Sequence, residues 1–282
     1  MNDIERLQAI YGAAGRELRR SLLAVDPANY SDAKAAEARK KAHETVAALN
    51  VATERWATAS VGKAYAKSAR VAKTTLEILG RKAKKKTWAS SVKRITDDLA
   101  VVLIRANRSI PGTAEKYLAS VAMAARTLKT AQVHEYQFGD VSAQVDKMAA
   151  DAVKTEISHK TLANQVRDYL YNLVQDDQFI EIGGRMYRMA TYAELVGRTE
   201  LANAATKATL DLCHEYDNDL VEWSDHGTIC EDCKPYEGNV YSISGMDPDY
   251  PPLEAEPPLH PNCEHALLPT SHEAISVRGE GS

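Results

Sequence analysis

The chain has 282 residues, 44% of them apolar and 26% charged, with a formal net charge of −4. That is the composition of an ordinary globular protein with a substantial core in one or two domains. No run of about 18 apolar residues exists, which excludes a membrane-spanning helix, and the opening MNDIERLQAIYGAAGRELRR is acidic at once, which excludes a secretory signal.

Folding in a cytosol follows, where cysteines serve more often as metal ligands or core residues than as disulfides. The small net charge conceals a polarity. Residues 211–282 hold 16 acidic and 2 basic side chains (Lys234 and Arg278), a net of −14, whereas residues 1–210 carry a net of +10. A basic front and an acidic back either meet different partners or attract one another.

In chain order, Ile4, Leu7, Tyr11, Ala14, Leu18 and Leu22 recur at steps of three and four, one apolar stripe of a helix. DPANYS breaks it, because Pro27 restricts both itself and its predecessor, and Ser31 stands ready to cap the next helix. Residues 32–80 contain no proline and many alanines, which favour helix but contribute little burial. Their thin face of Val46, Leu49, Trp56, Val61, Val71 and Ile78 suits a long helix in an extended bundle, with an interruption expected near Gly62.

The basic run 81–94 follows, with Trp88 as an anchor for the next helix. Val92, Ile95, Leu99 and Val102 mark that helix, ended by RSIPGT; Leu118, Val121, Ala125 and Leu128 mark another, closed by FGD at 138–140. Leu162, Val166, Tyr169 and Leu173 mark the last of the series. Residues 1–175 thus read as an elongated α-helical region.

The period changes at QFIEIGGRMYRMATY, where apolar residues flank Gly183-Gly184, a pair suited to a two-residue hairpin turn. A helix resumes at TYAELVGRTELANAATKATLDL, with Ala193, Val196, Leu201 and Ala204 inward. From about residue 219 short strands and loops are expected, and the prolines crowded between 248 and 269 exclude helix there. The fold class is mainly α: the helical region, then a small α+β zinc-stabilised module at 176–270 and a flexible tail at 271–282.

Two short runs carry the chemistry. HGTICEDC supplies His226, Cys230 and Cys233, and HPNCEH supplies His260, Cys263 and His265. Cys-x-x-Cys lets two thiolates grip one ion from a tight turn, and His-x-x-Cys does the same from a second. Together, Cys230, Cys233, His260 and Cys263 form a Cys₃His set suited to structural zinc, with His226 and His265 as alternates for the imidazole. The competing reading is three buried thiols and a capping histidine. Cys213, on the preceding helix, reads as a core residue. The order of the motifs differs from that of zinc deaminases, and no His-Glu-x-x-His helix exists. Asp225-His226 is a faint echo of a metal-dependent nuclease or hydrolase acting on nucleic acid, the alternative function.

The blocks GGRMYRMATYAELVGRTELANAAT, DLVEWSDHGTICEDCKPYEGNVYSISG and LHPNCEHALLP resemble, in this order, the phage minor capsid proteins of the Mu F-like head-morphogenesis group, in the phage minor capsid protein 2 branch. The resemblance covers about residues 155–270, and the helical front is similar only in being helical. Glu264 departs from it, standing where the family usually has a basic residue.

The resemblance implies a structural virion protein, assembled in the host cytoplasm and placed in the head interior or at the portal vertex. It implies binding to the portal protein or the major capsid protein, in support of head assembly, DNA packaging or ejection, with no membrane and no catalysis. Only SHEAISVRGEGS follows the last block, as expected of the plain structural form. Arg198, Thr199 and Glu200 form the family's other signature, in which Arg198 pairs either with a carboxylate of the acidic module or along its own helix. The basic run is either a contact for packaged double-stranded DNA or a solvated helix end.

Overall fold

The computed structural model describes residues 1–27, 30–83, 88–130 and 178–279, together with positions 147, 165 and 168. The helix expected over 162–173, the closing FGD and the heart of the basic run, 84–87, lie outside the described residues. The architecture is mainly helical, with a long N-terminal helical region and a small sheet-containing C-terminal part. The elements are α1 (Asp3–Leu23), α2 (Asp32–Ile78), α3 (Trp88–Asn107), α4 (Ser109–Thr130), β1 (Gln178–Ile182), β2 (Arg185–Arg188), α5 (Met189–Glu215), β3 (Leu220–Trp223), β4 (Val240–Ser242), β5 (Leu267–Pro269) and α6 (His272–Gly279). They form two compact units, residues 5–53 with 102–193, and residues 1–4, 54–101 and 194–282.

In the first unit, Leu7, Tyr11, Ala14, Leu18 and Leu22 are buried as the stripe on α1 requires. Ser31 caps α2, its hydroxyl accepting from Lys34 N at 3.3 Å. A buried polar chain crosses this core: Tyr11 donates to Asn107 Oδ1 (2.9 Å), whose Nδ2 donates to Asn50 Oδ1 (2.8 Å). α4 begins inside RSIPGT, because Pro111 falls in the first turn, where its missing N–H costs nothing. Gly183 and Gly184, with φ of 58° and 77°, make the two-residue turn that pairs Ile182 with Arg185. The helix expected to resume at Thr191 already starts at Met189.

In the second unit, α2 passes Gly62 without interruption, a correction to the break expected there. One helical glycine costs only about 1 kcal/mol relative to alanine, which the packed turns on either side offset. Of the expected inward face, Val46, Leu49, Trp56 and Val61 are buried, but its C-terminal end differs. Val71 and Ile78 are 57% and 80% exposed, while Tyr65, Ala69, Ala72 and Leu76 are buried against Ala208, Leu212 and Tyr216 of α5 and its end. Steps of four, three and four from Tyr65 hold one face, and small alanines let the helices approach closely. Tyr65 donates to Asp211 Oδ2 at 2.6 Å in this seam.

The C-terminal part is a three-stranded antiparallel sheet in the order β4-β3-β5. Val221, at its centre, pairs with Tyr241 on one side and Pro269 on the other. Trp223, Val221, Tyr241 and Leu267 bury one face against Leu210 and Cys213 of α5. Beyond the sheet, the tail expected to be flexible forms α6. Ser271 accepts from Ala274 N through its hydroxyl, and His272 Nε2 pairs with Asp247 Oδ2 at 2.8 Å. His272-Glu273, expected to be disordered, is the start of that helix.

Candidate metal centre

The sheet determines where the cysteines meet. β3 ends at Trp223, and β4 and β5 both begin beside that end: Trp223 N donates to Asn239 O (3.0 Å) and Ser224 N to Ala266 O (2.9 Å). The loop 224–239, with Cys230 and Cys233, and the close of the loop 243–266, with His260, Cys263 and His265, therefore arrive at one end of one sheet. Neither half-site is near the other in sequence; the antiparallel pairing joins them.

Each half-site is a tight turn. Lys234 N donates to Cys230 O (2.9 Å) and Cys230 N to Thr228 Oγ1 (3.1 Å). In the second, Cys263 N donates to His260 O (3.1 Å), and Asn262 takes the left-handed conformation with φ of 68°. Asparagine is among the few side chains that tolerate that region, which accounts for its place between proline and cysteine.

Five side chains lie close enough to hold a metal, in two groups that share Cys233: Cys230, Cys233 and His260, and Cys233, Cys263 and His265. His260 Nε2 is 3.2 Å from the sulfurs of both Cys230 and Cys233. The Cys233 and Cys263 sulfurs are 3.8 Å apart, and His265 Nδ1 is 3.5 Å from that of Cys263. A tetrahedral ion with sulfur at about 2.3 Å and nitrogen at about 2.0–2.1 Å sets edges of about 3.8 Å between sulfurs and about 3.5 Å between sulfur and nitrogen. The Cys233–Cys263 and Cys263–His265 separations match these edges, and the two from His260 are shorter. The donor types suit such an ion, gathered as two triads rather than as one closed set of four.

Electrostatics favour a cation here as well. Burial first, then the neighbouring sulfurs of Cys263 and Cys230, push the Cys233 thiol up to about 12. The Cys230 thiol is held below its ordinary value, chiefly by the backbone N–H groups of Cys233 and Asp232. Three sulfurs so close repel one another as thiolates, and a divalent ion supplies the charge that lets all of them ionise. His260 is raised, first through its contact with the Pro261 carbonyl, which lies 2.9 Å from Nδ1. That contact leaves Nε2 facing the sulfurs, the tautomer a metal ligand needs.

The alternates differ. His265 is buried, its ring 5.8 Å from that of Trp223 and 5.1 Å from that of His226. His226 lies outside both groups; its Nε2 is 2.8 Å from Ser224 Oγ, which accepts from Ala266 N. Cys213 is fully buried in the core beneath the sheet, and burial pushes its thiol up to about 12. It is a core residue.

Glu237 joins the site without a motif of its own. Its carboxylate accepts from His226 N (2.6 Å), from Thr228 N (2.9 Å) and from His265 Nε2 (3.1 Å). Burial works against its charge, but these donors outweigh it and hold the group below the usual carboxylate range. Lying in a strongly acidic stretch, Glu237 carries no signal of its own in the sequence. A third group, Asp247, Asp249 and His272, is more exposed and serves as the clasp of α6. Arg198 pairs along its own helix with Glu194 at 2.7 Å, which resolves the two pairings open from sequence.

Fold and site together define a mainly helical protein with a small sheet module that gathers a metal-competent cysteine–histidine cluster, and no helix among the described residues is long and apolar enough to cross a membrane. The chain belongs to the phage minor capsid protein 2 family, which matches residues 37–273. The match reaches well into the helical front, beyond the 155–270 over which the resemblance was read. No curated protein and no solved structure matches the chain. Membership supports a structural role in the virion, among other virion proteins.

Proposed function

We propose that the protein is a minor structural component of a phage head, assembled in the host cytoplasm and placed at the portal vertex or in the head interior. Residues 1–175 bind the portal or the inner face of the capsid, and the module 176–270 is locked by one structural zinc on Cys230, Cys233, His260 and Cys263. The observation that carries this reading is the family match, which runs through both regions.

The physical need for the ion is local. The segment between β3 and β5 has two long loops, with the short β4 as the strand between them and prolines crowding the second. Structural zinc contributes about 10–16 kcal/mol of apparent folding free energy, ample to order such loops. Three thiolates and an imidazole close the tetrahedron, so the ion's work is to fix shape, and no catalytic step is assigned. The basic run 81–94 supplies charge for a contact with packaged DNA, one that weakens steeply with salt.

The test is complementation of a phage lacking the gene. Wild-type protein restores DNA-filled heads, and density maps of those heads show the chain at the portal vertex or inside the shell. Full yields of infectious particles without the protein would overturn the reading.

A further inference from the structure

The cluster holds one imidazole more than a Cys₃His site requires, and the surplus one is positioned with care. His265 is 7% exposed, and its Nε2 meets the Glu237 carboxylate at 3.1 Å. Glu237 is itself fixed by the backbone N–H groups of His226 and Thr228, so its position does not depend on the histidine. A carboxylate accepts, so Nε2 carries the proton and Nδ1 presents its lone pair. That lone pair points at the Cys263 sulfur from 3.5 Å. A thiol can donate its S–H to that lone pair, and once the sulfur is ionised a cation between the two takes the proton's place. The arrangement of carboxylate, imidazole and vacant ring nitrogen is the one that orients metal-binding histidines.

His260 offers the same chemistry from the other side. Its Nδ1 is 2.9 Å from the Pro261 carbonyl, and its Nε2 is 3.2 Å from Cys230 and Cys233. Cys233 belongs to both groups, so an ion bound to its sulfur has both imidazoles within reach. Resting on the zinc reading above, we propose that the centre has a redundant fourth ligand: the three cysteines hold the ion, and either His260 or His265, the latter oriented by Glu237, completes the tetrahedron. Redundancy of this kind keeps the module closed when a partner surface displaces the more exposed His260.

Cobalt(II) titration of the metal-stripped full-length protein tests this, because tetrahedral thiolate coordination gives intense visible and charge-transfer bands. Wild type takes up one cobalt per chain with those bands. His260→Ala and His265→Ala each keep them, with affinity lowered about 10–100-fold, and the double variant loses them. Glu237→Gln has little effect alone but weakens cobalt at least about tenfold in the His260→Ala background, where His265 is the remaining imidazole.

Loss of the tetrahedral bands in one single variant, with the other unchanged, would overturn redundancy while leaving a metal centre with one fixed histidine. Failure of the wild type to bind cobalt one-to-one would overturn the metal reading itself. If an alanine variant precipitates, His260→Gln and His265→Gln, which keep the volume, give the same readout.

Discussion

The sulfur of Cys233 lies 3.2 Å from Nε2 of His260, twenty-seven positions further along the chain. The same sulfur is 3.8 Å from that of Cys263, so Cys233 is the residue shared by the two groups of donors. Cys233→Ser should therefore lower zinc content to background and open residues 220–270 to protease. Cys213→Ser, in the core beneath, should leave zinc content unchanged. Metal analysis and limited proteolysis of the two variants side by side check this.

Asn262 supplies the left-handed turn that aims His260 and Cys263 at one point. Asn262→Gly should be tolerated, because glycine adopts that conformation freely. Asn262→Val should cost about 1–2 kcal/mol at that residue and lower zinc affinity in proportion. Competition with a chelator of known affinity measures the difference.

The course of α2 gives a test away from the site. Gly62 lies mid-helix, and a Cβ added there meets nothing within 4 Å. Gly62→Ala should stabilise by about 0.5–1 kcal/mol. On the same helix, Ala72→Asp should cost more than about 2 kcal/mol by placing an unpaired charge in the core, while exposed Val71→Asp should change stability by less than about 1 kcal/mol. Urea unfolding of the three variants decides between the observed face and one built on Val71 and Ile78.

Tyr65 and Asp211 predict a pH dependence. Burial raises the Asp211 carboxyl, but hydrogen bonds from Lys207, Tyr65 and Ser91 outweigh it, so the folded value lies below the ordinary one. A lowered folded value means the stabilisation is complete above the unfolded pKa of about 4 and is lost as pH falls through the folded value. Tyr65→Phe should then cost about 1–3 kcal/mol at pH 7 and less at pH 3, read from urea unfolding at both.

What the sequence showed and what it hid divide along physical lines. The stripe on α1, the Gly183-Gly184 turn and the Ser31 cap are local, each decided by a few neighbouring residues, and they could be read directly. On α2, Val46, Leu49, Trp56 and Val61 could be read as inward too, but the face beyond Gly62 could not. An alanine-rich helix packs through its alanines, so the larger Val71 and Ile78 drew attention to the wrong side. α6 was hidden because its anchor, Asp247, is 25 positions away.

At the site the contrast is the same. Paired cysteine and histidine spacings pointed to Cys230, Cys233, His260 and Cys263, which the structure brings near one another in two triads that also take in His265. Glu237 was invisible, one carboxylate among many, until β3 and β4 placed it against His265. The choice between His226 and His265 also waited for tertiary structure, since both lie within a few residues of a half-site.

The most direct test of the account is metal analysis of purified full-length protein by native mass spectrometry, with and without a chelator. The account predicts one zinc per chain, removed by the chelator together with the protease resistance of residues 220–270 and with exposure of three reactive thiols, Cys213 staying masked. Protein that carries no metal, and whose residues 220–270 resist protease equally with and without the chelator, would contradict it.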